Sequence, residues 1–472
     1  MPSVTLIKGD TLAGNGVDYR DAVPVNMYGV LKPILGAAGY MYQMPGITSF
    51  GQGDGVDRGG IWVSTPSFEG HYRVSGNSLI RVDQNGLSTV LGTVPGVEQV
   101  PMDFTFNNVI LVADGKVYYY NSSAGLRVIP LLGFDKPIIS IVFVAQFVVI
   151  TDGQFIRHSD ILDEESFPIN NEAVAEFSPD KTLTLKKNED NELVVPGQFS
   201  IEHFVFNAAP TGFAFTPLDR KATKLGISGT MSIDEMDATY YLIGRREETS
   251  PSCYIYSAGT GQKIASREIE QILEGYTDDQ LSVCTVDAIS LDKVDLVFFH
   301  FPDQTYLFNA TLAQAQGVDN AWSLVKTGTY DADYRARNFV RDPRIGEFVV
   351  GDKLGANLGI LDKKVATQYG EIAEWILYTP FLKLETMSIN LLEIETIPGI
   401  VNNIEDATVF VSRTEDGRIY GKEWTELYGN RWDYNQRFEI RRFGYVRNWI
   451  GFKFRGTSRN RMAFGLLNVE VS

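Results

Sequence analysis

Four histidines, two cysteines and one glycine-rich stretch are the residues of this chain from which chemistry is most readily built. His71, His158, His203 and His300 would serve as metal ligands or general bases if they met. They are scattered one per repeat of the pattern described below, and His158 and His203 hold matching places in two copies of one hairpin, so they read as repeat ancestry and not as a ligand cluster. Cys253 and Cys284 lie in strand-like text, where a thiol is a small core residue before it is a disulfide, a metal pair or a nucleophile. GQGDGVDRGG, residues 51–60, has acids at Asp54 and Asp57, but their spacing is not that of an EF-hand and no P-loop lysine follows, so the stretch reads as a flexible entry to the first repeat. No nucleophile elbow, HExxH, Walker loop or CxxC is present, and the acids are too dispersed to single out a pair for glycoside hydrolysis. No catalytic residue, cofactor or metal is assigned.

The elements that would hold such residues are strands. Apolar and polar residues alternate in short runs rich in Val, Ile, Tyr and Phe, with turn residues between. One stretch, SREIEQILEGY (266–276), reads instead as a short helix with a Ser cap and a terminal Gly. Hairpins recur: YRVSGNSLIRV turns at Gly76, LVADGKVYYY at Asp114-Gly115 and VITDGQFIRH at Asp152-Gly153, each 38 residues after the last. LVVPGQFSIEHF, YYLIGRREETSPSCYIY, VFFHFPDQTYLF and FVVGDKLGANLGIL continue the series less regularly. Asp-Gly and Gly-Asn suit tight hairpin turns, which demand positive φ. With a strand on either side of each hairpin, the unit is four antiparallel strands per roughly forty residues, the pattern of a β-propeller blade. An elongated array of β-sandwiches is the alternative, because hairpins alone do not show that a ring closes.

The expected fold is therefore all-β: a propeller of six or seven blades over 58–370, an N-terminal segment 1–57 carrying a strand that closes the ring, and a C-terminal β-sandwich-like domain over 371–472. YMYQMPGITSF, Tyr40 to Phe50, has the form of the closing strand. The final domain is rich in aromatic strands and arginine. Between Arg431 and Arg461 there are nine Lys or Arg and two acids, in a chain whose formal net charge is −17. Arg441, Arg442, Arg447, Lys453, Arg455, Arg459 and Arg461 are accordingly the candidate protein-interface residues. Neighbouring positions of a strand face opposite ways, so Arg441 and Arg442 diverge while Lys453 and Arg455 share a face. Ion pairing within the chain is the competing explanation for the cluster. The overall charge argues against gripping nucleic acid by phosphate neutralisation. The opening MPSVTLIKGD lacks the regions of a signal peptide and no apolar run is long enough to span a bilayer, so a chain made in a cytoplasm-like space, without a membrane anchor, is expected.

Longer stretches carry a family resemblance. IRHSDILDEESFPINNEAVAEFSPDKTLTL (156–185), NELVVPGQFSIEHFVF, FAFTPLDRKATKLGISGTMSIDEMDATYYLIG and the C-terminal RRFGYVRNWIGFKF resemble the tail hub, or packaged-DNA-stabilisation, family of short-tailed lambdoid Salmonella-type bacteriophages. The resemblance runs along essentially the whole chain. It implies a non-enzymatic virion component, assembled in the host cytoplasm as a homo-hexameric ring below the portal and its adaptor (head-to-tail) protein. Such a ring would seal the packaged double-stranded DNA, dock tailspikes, hold the tail needle and form part of the exit channel. SRTEDGRIYGKEW (412–424) shares residues with the Ser-Asp-Gly-Trp boxes of sialidase propellers, but it occurs once, with altered spacing, and reads as a turn with a packed Trp. A propeller that binds or hydrolyses host-surface polysaccharide, and a stand-alone interaction scaffold, are the readings from other classes.

Overall fold

The computed structural model describes residues 3–7, 12–13, 20–21, 23–33, 36–134, 136–161, 163–207, 212–396, 407–429 and 437–472. Seven four-stranded antiparallel sheets follow one another over 57–93, 102–128, 140–173, 186–217, 233–263, 285–325 and 336–362. Each of the seven hairpins read from the sequence joins the second and third strands of one sheet. At Asp114 and Gly115 both φ values are positive, 48° and 69°, as the tight turn requires.

The blades pack face to face, so their middle strands are covered on both sides. Val109–Ala113 is buried at every position, whereas the outer strand Ser88–Thr93 is exposed or half-buried throughout. Separate apolar clusters fill the gaps between successive blades, from Val74, Leu111 and Tyr118 at the first gap to Phe298, Tyr334 and Val350 at the sixth. The cluster between blade seven and blade one is small: Ile80, Val82 and Leu358, with Phe50 against them. The ring is thus closed, and its closing joint has little apolar core.

Blade seven supplies only three of its own strands. The fourth is Gly46–Gln52, which pairs antiparallel with Asn357–Asp362 through six matched residues. The expected closing strand is corrected at its front half: Tyr40–Gln43 pairs with Met27–Val30 and with Ala463–Val471, in the C-terminal domain. Pro45, which has no N–H to give to a ladder, falls between the two strands and lets them enter different sheets. The stretch 51–60 is also corrected. It is no loose entry but the end of the closing strand and the start of the first inner strand, Asp57–Val63. Its glycines admit close backbone approach, since a Cβ on Gly51 would lie 2.0 Å from the Gly86 carbonyl oxygen.

The C-terminal domain is a sandwich of two sheets. One orders Phe438–Val446, Met387–Thr396, Ala463–Val471, Tyr40–Gln43 and Met27–Val30, with Ser3–Thr5 also paired to Ala463–Val471; the other orders Glu374–Tyr378, Trp449–Thr457, Thr408–Thr414 and Trp424–Leu427. Trp375, Val409, Phe452 and Phe454 from one sheet meet Leu392, Ile440, Leu467 and Val469 from the other in a single core. The short helix read at 266–276 is Arg267–Glu274, its first turn capped by the Ser266 hydroxyl and its last followed by Gly275. Cys253 and Cys284 are buried free thiols in the core between blades five and six. No helix among the described residues is long and apolar enough to cross a membrane.

Candidate interaction surface and the lining of the axial cavity

An axial cavity of about 300 Å³ is lined by the innermost strands of all seven blades. Three of its four carboxylates, the aspartates, are joints between blades. Asp103 accepts from the Phe143 amide (2.8 Å), Asp234 from the Ala288 amide (2.8 Å) and Asp287 from the Asn338 amide (3.0 Å), each reaching from one inner strand to the next. Ser140 does the same with its hydroxyl, which accepts from the Leu185 amide at 3.0 Å. The Asn338 amide group passes the link to blade one by donating to Asp57 at 2.7 Å. Burial pushes the Asp234 carboxyl up to about 6, against the pull of Lys186. Burial also raises Asp287, but the His300 bond and the Asn338 and Phe339 amides outweigh it and hold that carboxyl below its usual range.

The four histidines are each used within the structure and do not meet. His71 contacts Arg73 in the blade seven to blade one joint, His158 accepts from the Ala214 amide, His203 lies between Glu192 and Tyr256, and His300 lies between Asp287 and Thr305. No group of three or more His, Cys, Asp or Glu among the described residues is arranged to hold a metal. Asp54 and Asp57 are likewise occupied, the first by the Ser78 hydroxyl at 2.6 Å and the second by Arg73. In the 412–424 turn, Asp416 accepts from the Arg418 and Ile419 amides, and Trp424 packs on Phe443 with ring centres 4.1 Å apart.

The seven basic residues divide into three groups. Arg461 is 4% exposed and spent on packing: it donates to the Gln43 and Lys363 carbonyls and to the Tyr28 hydroxyl, and its guanidinium lies over the Tyr42 ring. Arg455 and Lys453 share a face, as strand alternation predicts, but neither stands alone. Arg455 grips Glu423 through two bonds of 2.6 and 2.8 Å, and the Lys453 ammonium lies 4.9 Å from the Tyr420 ring centre. Arg441, Arg442, Arg447 and Arg459 are exposed, and Arg441 donates to Glu439 on its own strand at 3.0 Å, a solvent-facing pair of little weight. Arg441 and Arg442 lie on Phe438–Val446, an edge strand of the sandwich. Arg442 has φ +60° and the pairing shifts register beside it, so the two arginines do not simply alternate between faces. Tyr445, Trp449 and Met387 are exposed near Arg447, by 55%, 43% and 39%. Trp, Tyr and Arg are the residue types that most often anchor protein interfaces. Arg431, the first of the basic run, lies outside the described residues.

Charge is divided unevenly between the domains. Residues 374–472 contain thirteen Lys or Arg and thirteen Asp or Glu, so the whole formal −17 belongs to residues 1–373.

Two family profiles match the chain: "Bacteriophage P22 Gp10, beta-propeller" over residues 2–366 and "Bacteriophage P22 Gp10, beta-sandwich" over 374–472. The chain belongs to the bacteriophage P22 Gp10 family. It is 27% identical over 463 residues to the tail hub protein gp10 of Salmonella phage P22, covering 95% of each chain. Among solved structures, a virginiamycin B lyase from Staphylococcus aureus (11% identity, 65% of this chain and 94% of that one, TM-score 0.43) and the N-terminal domain of Nup159 (10%, 68% and 95%, 0.42) are similar at a level that carries no argument about the site. In this Gp10-family chain the propeller profile takes in residues 27–43, whose two described strands complete the sandwich sheet. Sequence reasoning missed that crossing. It also missed the inter-blade role of Asp103, Asp234 and Asp287, for which the only signal is an acid placed in each of three inner strands.

Proposed function

We propose that this chain is a structural component of a phage tail hub, without turnover of its own, located in the tail of the virion. The observation that carries the reading is the match to the P22 tail hub protein across both domains and 95% of each chain. In the finer reading, six copies form a ring beneath the portal adaptor, stabilise packaged DNA, and offer surfaces to tailspikes and to the tail needle. The propeller's own axis is not the DNA path in this reading. The cavity of about 300 Å³ and an adjoining one of about 620 Å³ that shares Pro101, Met231 and Thr285 with it together have room for on the order of thirty waters, far short of a duplex whose major groove alone is about 12 Å wide and about 8.5 Å deep. The conduit belongs between copies. A ring of six would carry a formal −102, six times −17, and a like-charged wall lets a polyanion slide without holding it.

The docking surface proposed for a neighbouring tail protein or the next copy is the sandwich edge carrying Arg441, Arg442 and Arg447 with Tyr445 and Trp449. Lys453 follows along the strand Trp449–Thr457, whereas Arg459, beyond that strand's far end, drops out together with Arg455 and Arg461, whose charges serve contacts within the chain. Filled heads assembled without this chain should leak their genome and take on no tailspikes. Stable, infectious particles that lack it would overturn the assignment.

A further inference from the structure

The described residues of 24–52 bond blade six, both sheets of the sandwich and the last strand of blade seven. Leu324, on the outer strand of blade six, donates to the Pro24 carbonyl and accepts from the Asn26 amide, both at 2.8 Å. Between those bonds Val25 exchanges both backbone bonds with Ile376, on the sandwich strand Glu374–Tyr378, at 2.9 and 3.0 Å. The buried Asn26 side chain repeats the bridge, accepting from the Lys326 amide at 3.0 Å and donating to the Glu374 carbonyl at 2.7 Å. The chain then supplies Met27–Val30 and Tyr40–Gln43 to the sandwich. Only Met44 and Pro45 separate the second of these strands from the clasp Gly46–Gln52.

The clasp is held on two sides. One side is Asn357–Asp362. The other is the link from the propeller into the sandwich: Gly46 donates to the Val365 carbonyl at 2.7 Å, Ile47 to Thr367 at 2.8 Å, and Tyr369 to Ile47 at 2.6 Å. Arg461 ties the ends of this arrangement together. It bonds the Gln43 carbonyl at 2.8 Å, just before the clasp, and the Lys363 carbonyl at 3.1 Å, just after the strand that the clasp completes. Its third partner, the Tyr28 hydroxyl at 3.2 Å, lies on the first sandwich strand of the segment.

We propose that the described strands and bonds of 24–30 and 40–52 act as a strap that makes closure of the propeller conditional on the seating of the sandwich, with Arg461 as its pin. A two-residue connection leaves little slack, so a displacement of the sandwich peels Gly46–Gln52 away from Asn357–Asp362 before it disturbs another blade. Blades two to four, each built of consecutive strands between 102 and 217, receive none of these bonds.

The test is hydrogen exchange read by peptide mass on the full chain. In Arg461→Ala, amides of 46–52 and 357–362 should exchange roughly tenfold faster, as losing bonds from a charged donor implies, while those of 102–217 keep their wild-type protection. Faster exchange confined to 40–43 and 459–464 would show a local packing role and overturn the proposal. The wild-type chain gives a second readout that does not depend on a variant folding. With rising denaturant, the clasp amides should open in the same step as those of Ala463–Val471 and before those of blades two to four. A clasp that opens with blades two to four, or a single opening of the whole chain, overturns the proposal equally.

Discussion

Arg73 and Asp57 form a two-bond ion pair, 2.7 and 2.9 Å, wholly inside the joint where blade seven meets blade one. Neither side chain is more than 1% exposed. Arg73 also donates to the Asn338 carbonyl, and Asp57 also accepts from the Asn338 side chain, so both ends of the ring converge on one buried pair. This joint is the one with the small apolar cluster. A polar lock with directed bonds fixes register where few side chains interdigitate.

Removing one partner should therefore be costly. Arg73→Met leaves the Asp57 carboxylate buried without its main counter-charge, and a loss of about 3–5 kcal/mol in urea unfolding is expected. Pairing it with Asp57→Leu should recover part of that loss. A single variant within about 0.5 kcal/mol of wild type, the range of an unremarkable surface change, would show that the lock contributes nothing.

Acid should weaken the same joint. Burial pushes the His71 imidazole down to about 4 from its ordinary value of 6.5, and nearby Arg73 adds to that, against Asp342 and Asp57. The folded chain thus binds a proton less readily than the unfolded one. The stability associated with neutral His71 is complete above pH 6.5, declines as the pH falls toward 4, and changes no further below that, a span of about 3 kcal/mol. Asp342, held below its usual range chiefly by His71 and Arg344 against the effect of burial, contributes stability that is lost only at lower pH still. His71→Asn should flatten the profile of stability between pH 6.5 and 4. An unchanged slope in that window would assign the acid sensitivity to other groups.

Deleting residues 1–52 removes the clasp together with the described sandwich strands of that segment. It leaves Asn357–Asp362 and Ala463–Val471 with unpaired edges, and aggregation on size-exclusion chromatography is expected. Gly51→Ala is the milder version. Its Cβ would press on the Gly86 carbonyl oxygen, so a cost of roughly 1–3 kcal/mol is expected. A soluble, monodisperse deletion with an unchanged melting temperature would remove the clasp from any role in closure.

For the docking surface, reversing Arg441, Arg442 and Arg447 to Glu should leave the isolated chain folded and slow its assembly onto tails, and wild-type assembly should itself slow as salt is raised. Arg455→Glu is the contrast. It places a third carboxylate beside Glu423 and Glu374, so it should disturb the sandwich before it disturbs docking. Normal assembly of the triple variant, indifferent to salt, would leave these arginines as guards of an open sheet edge.

What the sequence disclosed follows from how local each cause is. The hairpins were legible because a tight turn constrains its own two residues, as at Asp114 and Gly115. The clasp was half legible. Alternation marks Tyr40–Gln43 and Gly46–Gln52 alike as strands, and nothing local says that their partners lie at Ala463–Val471 and Asn357–Asp362. Helices Asp278–Ser282 and Ala310–Gln316 were unread because five or seven residues make too few turns for a period to show. The basic run was visible as charge. That Arg455 would meet Glu423 and that Arg461 would be enclosed by Gln43, Lys363 and Tyr28 depends on contacts between distant segments.

The clasp also sets an order of events on the ribosome. Thr48 bonds Asp362, which is made 314 residues later. At about 5–20 residues per second, the emerging strand waits roughly 15–60 s for its partner. Tyr40–Gln43 waits longer, until Ala463–Val471 has been made. During that interval the earliest strands are the least protected part of the nascent chain, so slower translation of the later blades lengthens their exposure to chaperones and to neighbouring nascent chains.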